Sequence, residues 1–172
     1  MSAARSARRR FDIHGPVGRV LQRAAGTALF APVAKRVMPP LDRGLSRLTG
    51  GRFVLSQLLV PTLVLTTTGA KSGLPRTTPL ATLPDADGSF FVVGSNFGGG
   101  AHPGWSANLL KTPTAGVVFH GATFEVEAHL LDESERQAVW PRLLAVWPVY
   151  DDYVARSGRE LRVFRLVPRS QV

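Results

Sequence analysis

Positions 61–83 read PTLVLTTTGAKSGLPRTTPLATL and carry the clearest structural pattern in the chain. The segments Pro61–Thr68 and Arg76–Leu83 are both rich in β-branched side chains, which favour strands. Between them lies Gly69–Gly73, which suits a turn because glycine adopts backbone angles that most residues avoid. These residues therefore predict a β-hairpin.

Similar patterns continue towards the C-terminus. Further strands are predicted over Ser89–Ser95, Ala115–His120, Thr123–Leu131 and Leu161–Val167, and helices over His102–Lys111 and roughly residues 133–146. Asp132 is placed to cap the second helix, since Glu133 and Glu135 occupy its first turn. About six strands in meander order with inserted helices predict an α+β fold, a small, mostly antiparallel β-barrel with peripheral helices.

The amino-acid composition limits the kinds of active site and metal site that the chain can form. The chain has 172 residues, 44% of them hydrophobic, which suits a single domain with a buried core. It contains no cysteine, which excludes disulfide bonds, a thiolate nucleophile and cysteine-ligated metals. The four histidines, His14, His102, His120 and His129, show no metal-ligand spacing, so no metal site is predicted.

The net charge of +9 is concentrated at the start of the chain. Residues 1–50 carry ten of the 21 Lys and Arg residues, with only Asp12 and Asp42 as acids. Apolar residues recur there at spacings of three and four between Val17 and Val37, which predicts a basic, partly flexible helical N-terminal segment. Residues 51–172 are then the barrel domain.

A basic helix with an apolar face either lies in a membrane interface or packs on the protein body, and the pattern leaves both open. The apolar run at residues 24–34 is too short for a membrane span, and the basic residues that flank it on both sides, Arg19, Arg23, Lys35 and Arg36, make it a poor signal-peptide core. We therefore predict a cytoplasmic protein, with peripheral association at the inner face of the membrane as the open question. Nucleic acid is not a predicted partner, because the body is nearly neutral and its aromatic residues are not interleaved with basic ones.

Three motifs carry candidate chemistry. The hairpin tip combines glycines with Lys71 and Arg76, which suits a phosphate or carboxylate, although a hairpin with solvated basic residues has the same pattern. The segment SNFGGGAHPGWSANL at residues 95–109 places Trp105 and Asn108 on one helix face, as a flat-ligand site or as a core residue and a cap. Late in the chain, aromatic residues spaced by three form either a core ridge or a pocket wall: Trp147, Tyr150 and Tyr153.

Taken together, these motifs resemble the deazaflavin-dependent nitroreductases of actinobacteria, over roughly residues 50–168. The resemblance implies a split β-barrel and an oxidoreductase that uses reduced coenzyme F-420. Such an enzyme transfers a hydride to a flat, electron-poor small molecule, here a quinone, a nitroaromatic or an unsaturated lactone. Members of that family often carry a basic N-terminal segment, and some associate with membranes.

The resemblance also implies roles by position. It assigns the phosphate and oligoglutamate tail of the cofactor to Gly69, Lys71, Ser72 and Arg76, and the ring side to Thr78, Pro79 and Ala81. Further cofactor contacts are implied for Ser95, Asn96, Trp105 and Asn108, with Asn96 standing where the family has lysine. The substrate-gating set is Trp147, Tyr150 and Tyr153, with Trp147 standing where tyrosine is common, and the candidate catalytic proton donors are Tyr150, Tyr153 and Ser95.

Other readings of the same sequence stay open. One is the related barrel that binds flavin mononucleotide and acts as an oxidase or reductase. Another is a non-catalytic binder that carries the deazaflavin or a lipid. The sequence predicts neither the physiological acceptor nor the oligomeric state.

Overall fold

The computed structural model describes residues 60–169. It contains six strands: β1 Thr62–Thr68, β2 Pro75–Pro84, β3 Phe90–Val93, β4 Thr114–Phe119, β5 Ala122–Leu130 and β6 Val163–Pro168. The helices are α1 Gly104–Lys111, α2 Glu133–Val146 and α3 Tyr150–Ser157, with a short 3₁₀ turn at Asn96–Gly98. The predicted α+β class and antiparallel barrel are confirmed.

The strands close into a barrel in the order β1-β2-β3-β6-β5-β4, with β4 paired to β1. Both predicted hairpins form, and every pairing is antiparallel. The predicted simple meander order is wrong. The chain leaves β3 through α1 and begins a second meander at β4 beside β1, so that β6 lies between β3 and β5.

Several element boundaries differ from the predicted ones for local reasons. The third strand ends at Val93 rather than Ser95, because Ser95 already has helical angles, φ −72° and ψ −32°, and Asn96 and Phe97 beyond it have positive φ. Pro103 is the N-cap of α1 and not a residue of its first turn. Asp132 caps α2 as predicted, accepting from the Glu135 N–H while its own N–H donates to the Glu135 carboxylate.

Two hydrophobic cores share the sheet, because side chains along a strand alternate between its faces. Phe90 and Val92 of β3 point into the barrel, whereas Phe91 and Val93 point outwards beneath α2 and α3. The barrel core contains Leu63, Leu65, Phe90, Val92, Trp105, Leu109, Ala115, Val117, Val126, Ala128, Phe164 and Leu166. The outer core contains Phe91, Val93, Val139, Leu143, Val149, Tyr150, Tyr153, Leu161 and Val163.

The predicted N-terminal helical segment, residues 1–50, lies outside the described residues, as does the proposed domain boundary at residue 51. Within residues 60–169, no helix is both long and apolar enough to span a bilayer. The same part of the chain contains no group of His, Asp and Glu side chains that could hold a metal ion.

Candidate functional site

The β1–β2 loop, residues 69–74, is a compact turn that a side chain at position 69 would disrupt. The Gly69 N–H donates to the Leu74 carbonyl at 2.9 Å, and the Gly73 N–H donates to the Gly69 carbonyl at 2.8 Å. A Cβ atom at Gly69 would lie 2.7 Å from Ser72 Oγ and 3.0 Å from the Leu74 carbonyl oxygen. The glycine is therefore needed for the close approach of the backbone that the turn requires.

The same loop carries positive charge that no carboxylate of residues 60–169 neutralises. Lys71 and Arg76 are both exposed, as is Ser72 between them. Arg76 donates to Ser72 Oγ at 3.4 Å, and neither cation belongs to any ion pair of the described residues. Unpaired cations beside backbone N–H groups suit an anionic ligand such as a phosphate or an oligocarboxylate.

Helix α1 fixes this loop through Asn108, which is only 9% exposed. Its Oδ1 atom accepts from the Ala70 N–H at 2.8 Å, and its Nδ2 group donates to Thr67 Oγ1 at 2.9 Å. One turn further along, Lys111 donates to the Ala70 carbonyl at 2.6 Å. The Asn108 amide thus holds the loop to the helix, and Lys111 brings a third cation to it. Lys111 was missed by sequence reasoning, although its i, i+3 spacing from Asn108 is a usable signal.

Trp105, Thr78 and Pro79, to which the resemblance assigns contacts with the cofactor, lie in different environments. Trp105 is 7% exposed and belongs to the barrel core, with its ring edge-on to Phe164 at a centroid distance of 5.7 Å. Thr78 and Pro79 of β2 are half-buried and pair with Leu65 and Val64 of β1. The core interpretation of Trp105 is therefore confirmed, and its side chain supports the end of α1 that leads to Asn108.

The loop between β3 and α1 has an unusual backbone. Three consecutive residues are left-handed, Asn96 at φ 49°, Phe97 at φ 54° and Gly98 at φ 73°. A left-handed bulky residue such as Phe97 is strained, and such strain is concentrated at functional sites. A Cβ atom at Gly98 would lie 3.1 Å from Tyr153 Cδ1, so the loop backbone sits directly against α3. The Asn96 side chain donates to the Ala101 carbonyl at 2.9 Å and closes the loop on itself.

Arg159, which follows α3, is a site residue that sequence reasoning missed. Its guanidinium donates to the carbonyl oxygens of Gly94, Ser95 and Gly99 at 3.2, 3.0 and 3.1 Å. Because 60 or more residues separate these partners along the chain, no local pattern could reveal the contact.

The late aromatic residues belong to the outer core. Tyr150 is 5% exposed and Tyr153 is 1% exposed, with ring centroids 6.4 Å apart. Burial raises the pKa of both hydroxyls; the Trp147 indole and Arg156 act in the opposite direction on the pKa of Tyr153. The Trp147 indole lies beside the Tyr153 hydroxyl, but the two do not reach hydrogen-bond geometry, and no other described group is a partner of this hydroxyl. Both tyrosines are therefore protonated at neutral pH.

The predicted ridge of three aromatic residues on one helix is only partly correct. Trp147 is the C-cap of α2, at φ −142° and ψ 87°, so it does not share a helix with Tyr150 and Tyr153. It is half-buried and packs against the same outer core. Asp151 and Asp152, in the first turn of α3, both face solvent.

The three motifs form one continuous stretch of structure. Asn108 and Lys111 join α1 to the cationic loop, and Gly98 joins the β3–α1 loop to Tyr153. A shallow groove of about 290 Å³ lies elsewhere, between α2 and α3, and is lined by Trp140, Pro141 and Asp151 among others. None of the predicted site residues lines that groove, so the candidate site is the connected surface and not the groove.

Comparisons with known proteins bear on the fold and the family of the chain. A model of the family described as F420H(2)-dependent quinone reductase matches residues 43–168. A protein of that name from Mycobacterium tuberculosis H37Rv is 29% identical over 161 residues, covering 89% of this chain and 99% of the relative.

Two solved structures are also similar. One, titled as an F420-H2 dependent reductase, is 32% identical with a TM-score of 0.56, over 62% of this chain and 93% of that one. Another, titled as a domain-swapped dimer, is 30% identical with a TM-score of 0.59, over 72% of this chain and 94% of that one.

Proposed function

The chain belongs to the F420H(2)-dependent quinone reductase family, and from that premise we propose that it transfers a hydride from reduced coenzyme F-420 to a quinone. It is an oxidoreductase, and its cofactor is reduced coenzyme F-420. The quinone acceptor is supported by the description that the family shares with the mycobacterial relative. Nitroaromatics and unsaturated lactones are further acceptors to be screened.

The observation that carries the proposal is the cationic loop held in place by α1. Coenzyme F-420 has an anionic phosphate and oligoglutamate tail, and Lys71, Arg76 and Lys111 lie on or against one loop, with no carboxylate of residues 60–169 paired to them. The rigid turn at Gly69 presents these cations without the entropy cost of ordering a loose loop. The residues present therefore fit the group that the family uses.

Each part of the site has a proposed task. Lys71, Ser72 and Arg76 bind the anionic tail, and Thr78 and Pro79 line the ring. Asn108 and Lys111 keep the Ala70 peptide in position, and Trp105 supports α1. The bound cofactor supplies a hydride, so the protein's contribution is orientation and electrostatics.

A hydride alone converts a quinone into a hydroquinone anion, so one proton must follow it. Tyr150, Tyr153 and Ser95 are the proposed donors; both tyrosine hydroxyls carry a proton at neutral pH, and burial, which raises the pKa of each, makes them weaker acids than an exposed tyrosine. Ser95 is half-buried, and its position is fixed by the Arg159 contact to its carbonyl. Trp147 has no hydroxyl to contribute and is proposed only to border the acceptor.

The location of the protein stays a prediction. A cytoplasmic enzyme at the inner face of the membrane would meet a lipid-soluble quinone, and residues 1–50 would provide the attachment. Comparing acceptor reduction by the full chain and by a chain lacking residues 1–48, with and without vesicles, tests this. A loss confined to the vesicle assay supports attachment, and equal kinetics in both settings contradicts it.

The central experiment is a fluorescence titration of oxidised coenzyme F-420 against flavin mononucleotide. We expect the deazaflavin to bind in preference to the flavin, and Lys71→Ala to weaken deazaflavin binding about 10- to 100-fold, since a charge-assisted contact contributes about 1.5–3 kcal/mol. Arg169→Ala is the matched control, because it removes one positive charge from a surface pair with Glu125 on β5.

Each alternative function has its own outcome in that experiment. Preferential binding of flavin mononucleotide would contradict the proposal and favour the related flavin barrel. Tight deazaflavin binding without reduction of a soluble naphthoquinone, a nitroaromatic or a lactone would indicate a cofactor carrier. An equal loss of affinity in Lys71→Ala and Arg169→Ala would show that net charge, and not the loop, binds the cofactor.

A further inference from the structure

The β3–α1 loop, residues 94–102, is held from one side by Arg159. The guanidinium contacts the carbonyl oxygens of Gly94 and Ser95 at one end of the loop and of Gly99 near the other. Gly158, at φ 62°, ends α3 and turns the chain so that Arg159 leaves the helix. One side chain thus spans the loop that carries Ser95 and Asn96.

The same guanidinium also contacts His102, with 2.9 Å between Arg159 Nη1 and His102 Nδ1. Arginine can only donate hydrogen bonds, so Nδ1 must accept, and the imidazole must be neutral with its proton on Nε2. A protonated imidazole donates from both nitrogens. Protonation of His102 therefore removes this contact and places two cations against each other.

The charges around His102 all oppose its protonation. Burial is the main cause that lowers the pKa of His102 below its ordinary value of 6.5, and the charges of Arg162 and Arg159 act in the same direction. The ring also precedes the N-terminus of α1, whose partial positive charge no acid in the first turn offsets. Glu160, which directly follows Arg159 in the sequence, directs its carboxylate to Arg136 on α2 at 3.2 Å.

We propose that Arg159 and His102 form a proton-sensitive latch: Arg159 is a positioning residue that holds the 94–102 loop in its cofactor-binding conformation, and protonation of His102 releases the loop. The left-handed backbone at Asn96 and Phe97 favours release, because the strain must be offset by contacts such as those of Arg159. The link between this loop and the cofactor rests on the proposed function, whereas the contact between Arg159 and His102 does not.

The direction of the pH dependence follows from the latch. The loop is held while His102 is neutral, and the neutral fraction falls as the pH drops through the pKa of the folded state. Apparent cofactor affinity falls with the competent fraction. Because that pKa is lowered, the affinity stays constant through neutral pH and declines only below about 6.5.

The test measures the dissociation constant of oxidised coenzyme F-420 from pH 8 to pH 5. We expect the wild-type affinity to weaken about tenfold within one pH unit below the pKa of His102. His102→Gln keeps an acceptor that does not titrate, so its profile should be flat. His129→Gln is the matched control, because His129 is exposed on β5, and it should retain the wild-type profile.

A second readout is independent of the cofactor. Nitrogen NMR of the free protein should show His102 as the Nε2–H tautomer with a pKa below 6.5, and Arg159→Gln should raise that pKa. Arg159→Lys keeps the positive charge, but its ammonium group cannot reach all the carbonyl oxygens that the guanidinium contacts. This variant should therefore weaken cofactor binding at every pH. A purely structural role for Arg159 would lower stability without altering the pH dependence of cofactor binding.

The outcomes separate the latch from the proposed function. Parallel pH profiles in the wild type and His102→Gln, or a normal His102 pKa, would overturn the latch while leaving the cofactor assignment intact. Failure of the deazaflavin to bind at any pH would overturn the proposed function, and the NMR titration would still test the contact between Arg159 and His102 on which the latch depends.

Discussion

At the scale of single residues, the hydroxyl of Tyr153 stands out because it is buried without a hydrogen bond inside the described structure. Removing a hydroxyl from water without giving it a partner costs free energy, so a folded protein retains such a group only where packing or function requires it. The ring itself packs under Gly98, at the junction of the β3–α1 loop and α3. Packing thus accounts for the ring of Tyr153, whereas its hydroxyl oxygen forms no hydrogen bond that would stabilise the fold.

We expect Tyr153→Phe to leave the free energy of unfolding unchanged or to raise it by up to about 1 kcal/mol, since no hydrogen bond is lost. Acceptor reduction should slow if this hydroxyl supplies the proton. Urea unfolding and steady-state kinetics measure the two effects, with Tyr150→Phe measured alongside to compare the two oxygens. A marked destabilisation would mean that the hydroxyl has a partner in solution.

The site residues that could be predicted from the sequence are those whose properties follow from their neighbours along the chain. Lys71 lies on the turn and Arg76 near the start of β2 beside it, so their exposure follows from the end of the hairpin. Arg159 and Lys111 act on backbone more than 40 residues away, at Gly94 and Ala70, and only the closed fold brings them there. The cofactor and gating roles implied by the resemblance stay predictions for the titrations above to test.

At the scale of elements, the 3₁₀ turn and α3 form one unit through an unusually close contact. Gly98 has φ 73° and lies so near Tyr153 that a Cβ atom would be 3.3 Å from the Tyr153 Cα. Both sides of this contact are backbone, which cannot move aside as the end of a flexible side chain could. The position of the loop is therefore tied to that of the helix.

We expect Gly98→Ala to destabilise the protein by about 1–3 kcal/mol, from the strained φ and the contact with α3, and to weaken cofactor binding by displacing the loop. Gly100→Ala is the matched control two residues away, because a Cβ there meets nothing within 4 Å and its φ is not positive. Thermal unfolding and the deazaflavin titration compare the two variants. Similar losses in both would contradict the close-contact argument.

Prediction of the elements succeeded where local signals were strong. The Asp132 cap and the start of α2 follow from the spacing of Asp132 and Glu135, and the first hairpin follows from its glycines. The early end of β3 could not be predicted, because nothing in the sequence indicates that Asn96 and Phe97 adopt left-handed angles. Their conformation depends on contacts with α3 and Arg159, which lie far along the chain.

At the scale of the whole molecule, two cores share one sheet. Leu166 lies in the barrel and Leu143 of α2 lies in the outer layer, while β3 contributes alternate residues to both. The layers therefore cannot lose their packing independently. The order of strands was the part of the fold that sequence reasoning got wrong, since hairpins are local but the pairing of β6 with β3 and β5 is not.

We expect Leu166→Ala and Leu143→Ala each to cost about 2–5 kcal/mol, as buried leucine truncations do, and each to leave a single unfolding transition. Leu74→Ala is the control, because Leu74 is 59% exposed. Circular dichroism and tryptophan fluorescence should give coincident curves, with Trp105 in one core and Trp140 against the other. Two separate transitions would show that the layers unfold independently.

The position of β6 has a consequence for synthesis of the chain. Until Val163–Pro168 has left the ribosome, β3 and β5 each present an unpaired edge, and the barrel cannot close. Unpaired edges attract other strands, so the nascent chain is most exposed to aggregation just before its last described strand emerges. The barrel can therefore close only after that strand is translated, and the rate at which β6 pairs with β3 and β5 governs the yield of folded enzyme.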